Sequence, residues 1–259
     1  MRILTCIKFV PDPAGDVSFD ADRRIVRDDA GIASELDEYA VEQALRLRDA
    51  LPDATVTALT IGPTCAEGAL RKALQMGATE AVLVSGPAVA GSDVFATASA
   101  IAAAAATLGD IGAVVCGMSS PDAEMGVLPA LVARELGWPL LSLAAEVTAS
   151  GDVVQIVRHD DHGRCEARAT LPAVVSVTDQ SGEPRYPTFK DVLAAKRRSI
   201  VTWTLADLGV AEASLGTAAA RVELLSIDRN PERARGRTIV DDAGSSVDEV
   251  VAFLAAATN

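Results

Sequence analysis

Aromatic side chains are scarce in this chain: two Trp, two Tyr and five Phe among 259 residues. A core must therefore come from aliphatic residues. Ala and Val are prominent in the 49% apolar content, a composition that suits helices packed closely on a parallel sheet. Basic residues are outnumbered, 23 Lys and Arg against 36 Asp and Glu, giving a formal charge of -13. That deficit argues against nucleic acid as the main partner, since neutralising phosphates needs a cationic surplus, and it disfavours an anionic membrane surface. Histidine occurs only at positions 159 and 162, which gives no convincing Ser–His–Asp or Cys–His set. Cys6, Cys65, Cys116 and Cys165 form no C-x-x-C pair, so reduced thiols are expected rather than a metal or redox site. The most apolar long stretch, Val94 to Leu108, makes about four helical turns, too short and too weakly apolar to span a bilayer. Met1 and Arg2 lead straight into a strand-like segment, so no signal peptide is expected and the expected address is the cytoplasm.

What is present is an alternation of strands and helices. Residues 2–8 read as a buried strand broken by Pro11 and Pro13, and the polar stretch from Asp16 to Asp29 reads as a long excursion. A helix is expected over residues 35–50, with Leu36, Tyr39, Ala40, Ala44 and Leu47 near 3.6 spacing and Glu42, Arg46 and Arg48 facing outward. Thr55 to Ile61 reads as a strand closed by Gly62-Pro63. Thr64 and Glu67 then form a capping-box pattern that opens a helix over 64–76. Ala81 to Val84 is a third strand, Ser92-Asp93 starts the Ala-rich helix, and Ile111 to Cys116 is a fourth strand. Parallel strands need such crossover helices, so the expected fold is a doubly wound α/β sheet with its ligand site beyond the strands' C-terminal ends. Leu143 to Thr148, Val153 to Val157 and Glu166 to Thr170 read as a small antiparallel hairpin region, and Ala173 to Val177 as another buried strand. The turn-rich loop 181–187 precedes a helix over 190–197. Residues 1–198 thus form the nucleotide-binding type of domain, and 199–259 a C-terminal arm and helix. The arm holds Arg229, Arg233, Arg235 and Arg237, has little to bury by itself, and is expected to wrap on a partner.

The segment from Gly117 to Gly126 is the leading phosphate candidate, because a loop from a strand end into a helix N-terminus presents unpaired N–H groups to an anion. Ser119 and Ser120 add hydroxyl donors; Asp122 and Glu124 fit better as helix-dipole partners or groups turned away. No Walker or G-x-G-x-x-G motif supports it, and the alternative is an ordinary connecting loop. His159-Asp160-Asp161-His162 offers metal-ligand types, but neighbouring hairpin residues face opposite sides and converge poorly, so a solvated tip is expected.

In order and spacing, several stretches resemble the electron-transfer flavoprotein β-subunit family over almost the whole chain. They are Ile7-Lys8-Phe9-Val10-Pro11-Asp12, Glu38-Tyr39-Ala40-Val41-Glu42-Gln43-Ala44, Leu70 to Ala78, Leu136-Gly137-Trp138-Pro139, Leu171-Pro172-Ala173, Glu183-Pro184-Arg185-Tyr186-Pro187-Thr188 and Ala194 to Arg198. The resemblance implies an electron carrier rather than an enzyme. It implies a heterodimer with a larger α subunit that carries most of an FAD, an electron-donating dehydrogenase as second partner, and one structural AMP. Carried over, the AMP-contacting positions are Cys6, Ser34, Ala58 to Ile61, and Gly117 to Leu128, including Ser119, Ser120, Asp122, Glu124, Gly126 and Val127. Segment 177–199 matches the family's recognition loop, with Glu183, Arg185, Tyr186 and Phe189 toward the dehydrogenase. Departures are visible. Ser119 replaces a Gln, and Val127, Leu128 and Pro129 replace a polar tail, so backbone N–H groups would carry phosphate binding. The pattern of members with a second FAD is absent, and His159 stands where some members place an acidic residue near the flavin. A universal-stress-type nucleotide-binding regulator is the second reading. It would end near the fifth strand, and the Glu183–Tyr186 loop and the C-terminal arm argue against it.

Overall fold

A computed structural model describes residues 1–228, 236, 238–241 and 244–257 of the chain. The chain divides into two units, Met1–Leu224 and the segment from Leu225 onward. The first unit opens with β1 (Arg2–Cys6), the short antiparallel pair β2 (Phe9–Val10) and β3 (Ile32–Ala33), and helix α1 (Glu35–Ala50). It continues through β4 (Thr55–Ile61), α2 (Glu67–Met76), β5 (Glu80–Val84), α3 (Val94–Leu108), β6 (Ile111–Gly117) and α4 (Leu128–Leu136). Next come β7 (Leu140–Ala144), β8 (Glu146–Ser150), β9 (Val153–Asp160), β10 (Gly163–Thr170), β11 (Ala173–Val177), α5 (Phe189–Arg197), β12 (Val201–Trp203) and the short α6 (Gly216–Ala219).

Seven strands form one parallel sheet in the order β12-β5-β4-β1-β6-β11-β7. The chain winds from β1 outward through β4 and β5, then returns to pair β6 with the other side of β1. That reversal makes the β1/β6 boundary the switch point of the sheet. One aliphatic layer lies under α1 and α2 and includes Ile3, Val41, Leu45, Leu70 and Val115. The other lies under α3 and α4 and includes Leu4, Leu59, Ile101, Val114 and Val132. Small side chains let α3 approach closely: Ala96, Ala98, Ala100, Ala104 and Ala105 are all buried. Asp93 caps this helix by accepting from Ala96 N–H at 2.9 Å, satisfying one of its open donors.

Local expectations failed in four places. The Thr64–Glu67 capping box does not form: residues Thr64–Ala66 make a 3-10 turn after Pro63, and Ala66 precedes α2 with no side-chain cap. The strand expected over 143–148 is two strands. Leu143 has φ +58°, an uncommon conformation for a branched residue, and there the chain leaves the parallel sheet as β7 and turns to start β8 in the antiparallel β10-β9-β8 sheet. Glu42 does not face outward; it is 4% exposed, held by arginines described below. Finally, Val201–Trp203 adds to the edge of the parallel sheet beside β5. The four arginines 229, 233, 235 and 237 lie outside the described residues. In the second unit, α7 (Ser245–Ala257) carries exposed Val247, Val251 and Phe253.

Candidate functional site

The C-terminal edge of the sheet gathers most of the residues singled out from the sequence. Cys6 ends β1, Ile61 ends β4 and Gly117 ends β6, while Ser34 immediately precedes α1. Ala58 lies below this rim, fully buried under α1 and α2 and paired with Thr5 and Ala81. Between the strand ends sits the carboxyl of Asp37, from the first turn of α1, which accepts from Lys8 N–H at 2.8 Å and from the Gly117 N–H. One carboxyl therefore joins the two strand ends at the switch point. Burial pushes it up to about 7, although both N–H groups pull the other way. Gly117 is required here, because a Cβ would meet Asp37 Oδ1 at 2.5 Å and Leu36 O at 2.8 Å.

The loop after Gly117 is held by Asp122, whose side chain is only 4% exposed. It accepts from Lys8 Nζ at 2.7 Å and pairs with Arg27, which also donates to Phe9 O at 3.2 Å. Burial would raise the Asp122 carboxyl, but Lys8, Ser120 and Arg27 outweigh it and hold it below the usual range. Asp122 is thus turned away from the loop's open side, while Glu124 (φ +48°), Gly126 (φ +63°) and Val127 are exposed. The long polar excursion finds its role in this cluster: it brings Arg27 back onto the loop. Sequence patterns gave no signal for the Lys8–Asp122–Arg27 cluster. Ser34 Oγ is buried close to the Asp37 carboxyl but outside hydrogen-bond geometry, an unsatisfied polar atom at a helix N-terminus. A cavity of about 210 Å³ borders the same edge, lined by Val10, Ile32, Glu35, Tyr39, Pro121 and Asp179 among others. A larger cleft of about 840 Å³ lies at the opposite end of the sheet, among Ala105, Ile111, Leu136, Trp138 and Leu171. It touches none of the AMP-contacting or dehydrogenase-facing positions that the resemblance implies.

A second cluster is the loop before α5. Arg185 is clamped to Glu42 by three bonds: backbone N–H at 3.1 Å, Nε at 2.7 Å and an Nη at 3.3 Å. Arg46 Nε donates to Glu42 Oε1 at 2.8 Å, the oxygen that the Arg185 Nη also reaches. Burial would raise the Glu42 carboxyl, but the Arg185 and Arg46 bonds reverse the shift and hold it below the usual range. Gln43 Nε2 donates to Ser181 O at 2.6 Å, and Thr188 and Asp191 form a capping box that opens α5. Between these fixed ends Tyr186 is 94% exposed and Phe189 79% exposed. Glu183 is also exposed. Two aromatic side chains thus stand in water on a fastened loop instead of entering the core.

At the hairpin tip, Asp160 Oδ1 accepts from the N–H groups of His162 and Gly163 at 2.8 and 3.1 Å, while His159 and both aspartates are exposed. Among the described residues no group of three or more His, Cys, Asp or Glu could hold a metal ion. No helix there is long and apolar enough to cross a membrane.

Comparison with known proteins gives a concordant result. The model of the electron transfer flavoprotein domain matches residues 23–208. An electron transfer flavoprotein subunit beta of Mycobacterium tuberculosis is 36% identical over 261 residues, covering 98% of both chains. One of Megasphaera elsdenii is 31% identical over 269 residues, covering 99% of this chain and 98% of its own. The acryloyl-CoA reductase electron transfer subunit gamma of Anaerotignum propionicum is 36% identical over 197 residues, 74% of this chain and 73% of its own. The chain belongs to the electron transfer flavoprotein family, and its relatives among the beta subunits match it over nearly their whole length.

Proposed function

We propose that this chain is the beta subunit of a heterodimeric electron-transfer flavoprotein that carries electrons from a dehydrogenase through an FAD held mainly by the alpha subunit. The observation that carries this reading is the exposed Tyr186–Phe189 pair on a loop fastened by Glu42 and Arg185. A fixed, water-exposed aromatic surface suits repeated docking, because little side-chain freedom is lost at each encounter. The flavin supplies the redox chemistry when bound. The chain's own part is to position partners, and none of its residues is assigned as an acid or base. Exposed His159 on the β9–β10 hairpin is assigned to the flavin side. The second unit packs on the alpha subunit, which covers Val247, Val251 and Phe253 of α7. Cytoplasm is the proposed location.

An AMP is assigned to the switch-point edge. Lys8 and Arg27 are both engaged by Asp122, so free cations do not explain the binding of its phosphate. What fits it is the backbone around Gly126 and the unsatisfied Ser34 Oγ. Co-expression with an alpha subunit is expected to give a yellow 1:1 complex that releases AMP beside FAD on acid extraction. A colourless, monomeric beta chain would count against the heterodimer, and a yellow complex without AMP would remove the nucleotide alone.

Phe189→Ala is expected to slow electron transfer from the donor dehydrogenase about tenfold or more, the effect of losing an aromatic anchor, with FAD content unchanged. Stopped-flow reduction by the donor measures it. An unaltered rate would remove Phe189 from the docking surface.

A further inference from the structure

Cys6 and Cys116 lie far apart in sequence, and their spacing gives no hint of a relation. The sheet brings them together. β1 and β6 pair in parallel up to Thr5 beside Val115, so one step further Cys6 stands beside Cys116 at the C-terminal rim. Both side chains enter the aliphatic layer under α3 and α4, which places the two sulfurs on one face of the sheet. Paired strands lie about 4.8 Å apart, inside the roughly 4.4–6.8 Å span of Cα atoms that a disulfide bridges. The Cys6 thiol beside it holds the Cys116 thiol well above its ordinary range, with burial adding to the effect. All four cysteines are free thiols. Cys116 is 2% exposed, whereas Cys6, at 9%, is the more exposed of the two.

We propose that Cys6 and Cys116 form a two-electron oxidation site, converted by a small peroxide into a disulfide that ties β1 to β6 beneath the switch point. Cys6 is the attacking sulfur, because it is the more accessible and Cys116 is held protonated. Its thiolate attacks the peroxide: an S–O bond forms, the O–O bond breaks, and the departing oxygen takes up the proton that Cys6 released. Cys116 then displaces the sulfenic oxygen from Cys6. An S–S bond forms, the S–O bond breaks, and the oxygen leaves as water with the proton from Cys116. Two electrons pass from the thiol pair to the peroxide. Burial makes the reaction slow, since only a small oxidant reaches Cys6 and only the thiolate reacts. The bridge would fix the separation of the two strands whose ends carry Lys8 and Gly117. The proposal does not depend on the electron-carrier role.

The test uses the full chain carrying Cys65→Ser and Cys165→Ser, treated with hydrogen peroxide, denatured, alkylated with iodoacetamide and weighed. The expected result is a loss of about 2 Da with neither thiol alkylated, reversed by dithiothreitol, and a peptide map linking residues 6 and 116. Gain of oxygen atoms, two alkylated thiols, or a bridge between two chains would overturn it. The unaltered chain, mapped in the same way, must show the same link, so the outcome does not rest on the folding of the variant.

Discussion

Glu42→Ala is expected to free the loop before α5 and to lower stability by about 1–3 kcal/mol. Two limits bound this figure. Removing one partner of a fully buried ion pair costs about 3–5 kcal/mol, but Arg185 and Arg46 are 36% and 48% exposed and recover hydration once released. The loss falls unevenly over the molecule. Glu42 is the acceptor for Arg185 N, Arg185 Nε and Arg46 Nε, so one substitution removes the main link between α1 and the Tyr186 segment. Limited trypsin digestion, with cleavage after Arg185, should quicken more than the global stability loss accounts for. Glu42→Gln keeps acceptor capacity without the charge and should fall between the two. An unchanged cleavage rate in Glu42→Ala would show that the Gln43–Ser181 bond and the Thr188–Asp191 cap hold the loop by themselves. The clamp also has a pH signature. The Glu42 carboxyl is held below its ordinary value in the folded chain, so its contribution is present above the unfolded value. It is lost as pH falls through the folded one. The loop should therefore stay fastened through the neutral range.

How much of this was readable in advance follows from the range of each interaction. Helix α1 occupies residues 35–50 as its apolar spacing requires, and α3 begins where Asp93 supplies a cap to Ala96 N–H, a bond three residues long. Gly77 and Gly137, both at positive φ, close α2 and α4 for the same local reason. Helical periodicity misplaced Glu42, because it places a carboxylate outside unless a buried partner is known, and Arg185 is 143 residues away. The capping boxes are instructive. Thr64–Glu67 has the pattern and fails because Pro63 starts a tighter turn, whereas Thr188–Asp191 forms with Asp in the third position. The switch point could be anticipated as a region, but its chemistry could not. The Lys8–Asp122–Arg27 cluster and the Cys6–Cys116 pair exist only because the strand order folds back on β1. The strand-to-helix pattern and the resemblance both pointed to the loop after Gly117, while the ion pairs that tie it to Lys8 and Arg27 emerged from geometry alone.

Asp37 provides the second large effect. Its carboxyl moves from an ordinary value of 3.8 to about 7 on folding. Between those values the folded chain keeps a proton that the unfolded chain releases, so raising the pH destabilises the fold. Each pH unit removes up to about 1.4 kcal/mol, so the full span removes roughly 4 kcal/mol and then levels off above the folded value. Asp122, Glu42 and Asp93 are shifted the other way, so their contributions appear as the pH rises through the acid range and oppose the slope there. The difference between the wild type and Asp37→Asn isolates the buried group. The amide is neutral at every pH. It presents an NH₂ where one oxygen accepted the N–H of Lys8 or Gly117, a constant cost of about 1–2 kcal/mol. The wild type should therefore be the more stable near pH 4 and the variant near pH 8, with the two urea-denaturation curves of stability against pH crossing between them. A constant difference across that range would show that Asp37 is ionised throughout in the folded chain. Because this carboxyl joins the ends of β1 and β6, its ionisation loads the same boundary at which the chain is proposed to hold its nucleotide. The pH at which the difference levels off, rather than the pH of crossing, reports the folded value and so how strongly the switch point resists a negative charge.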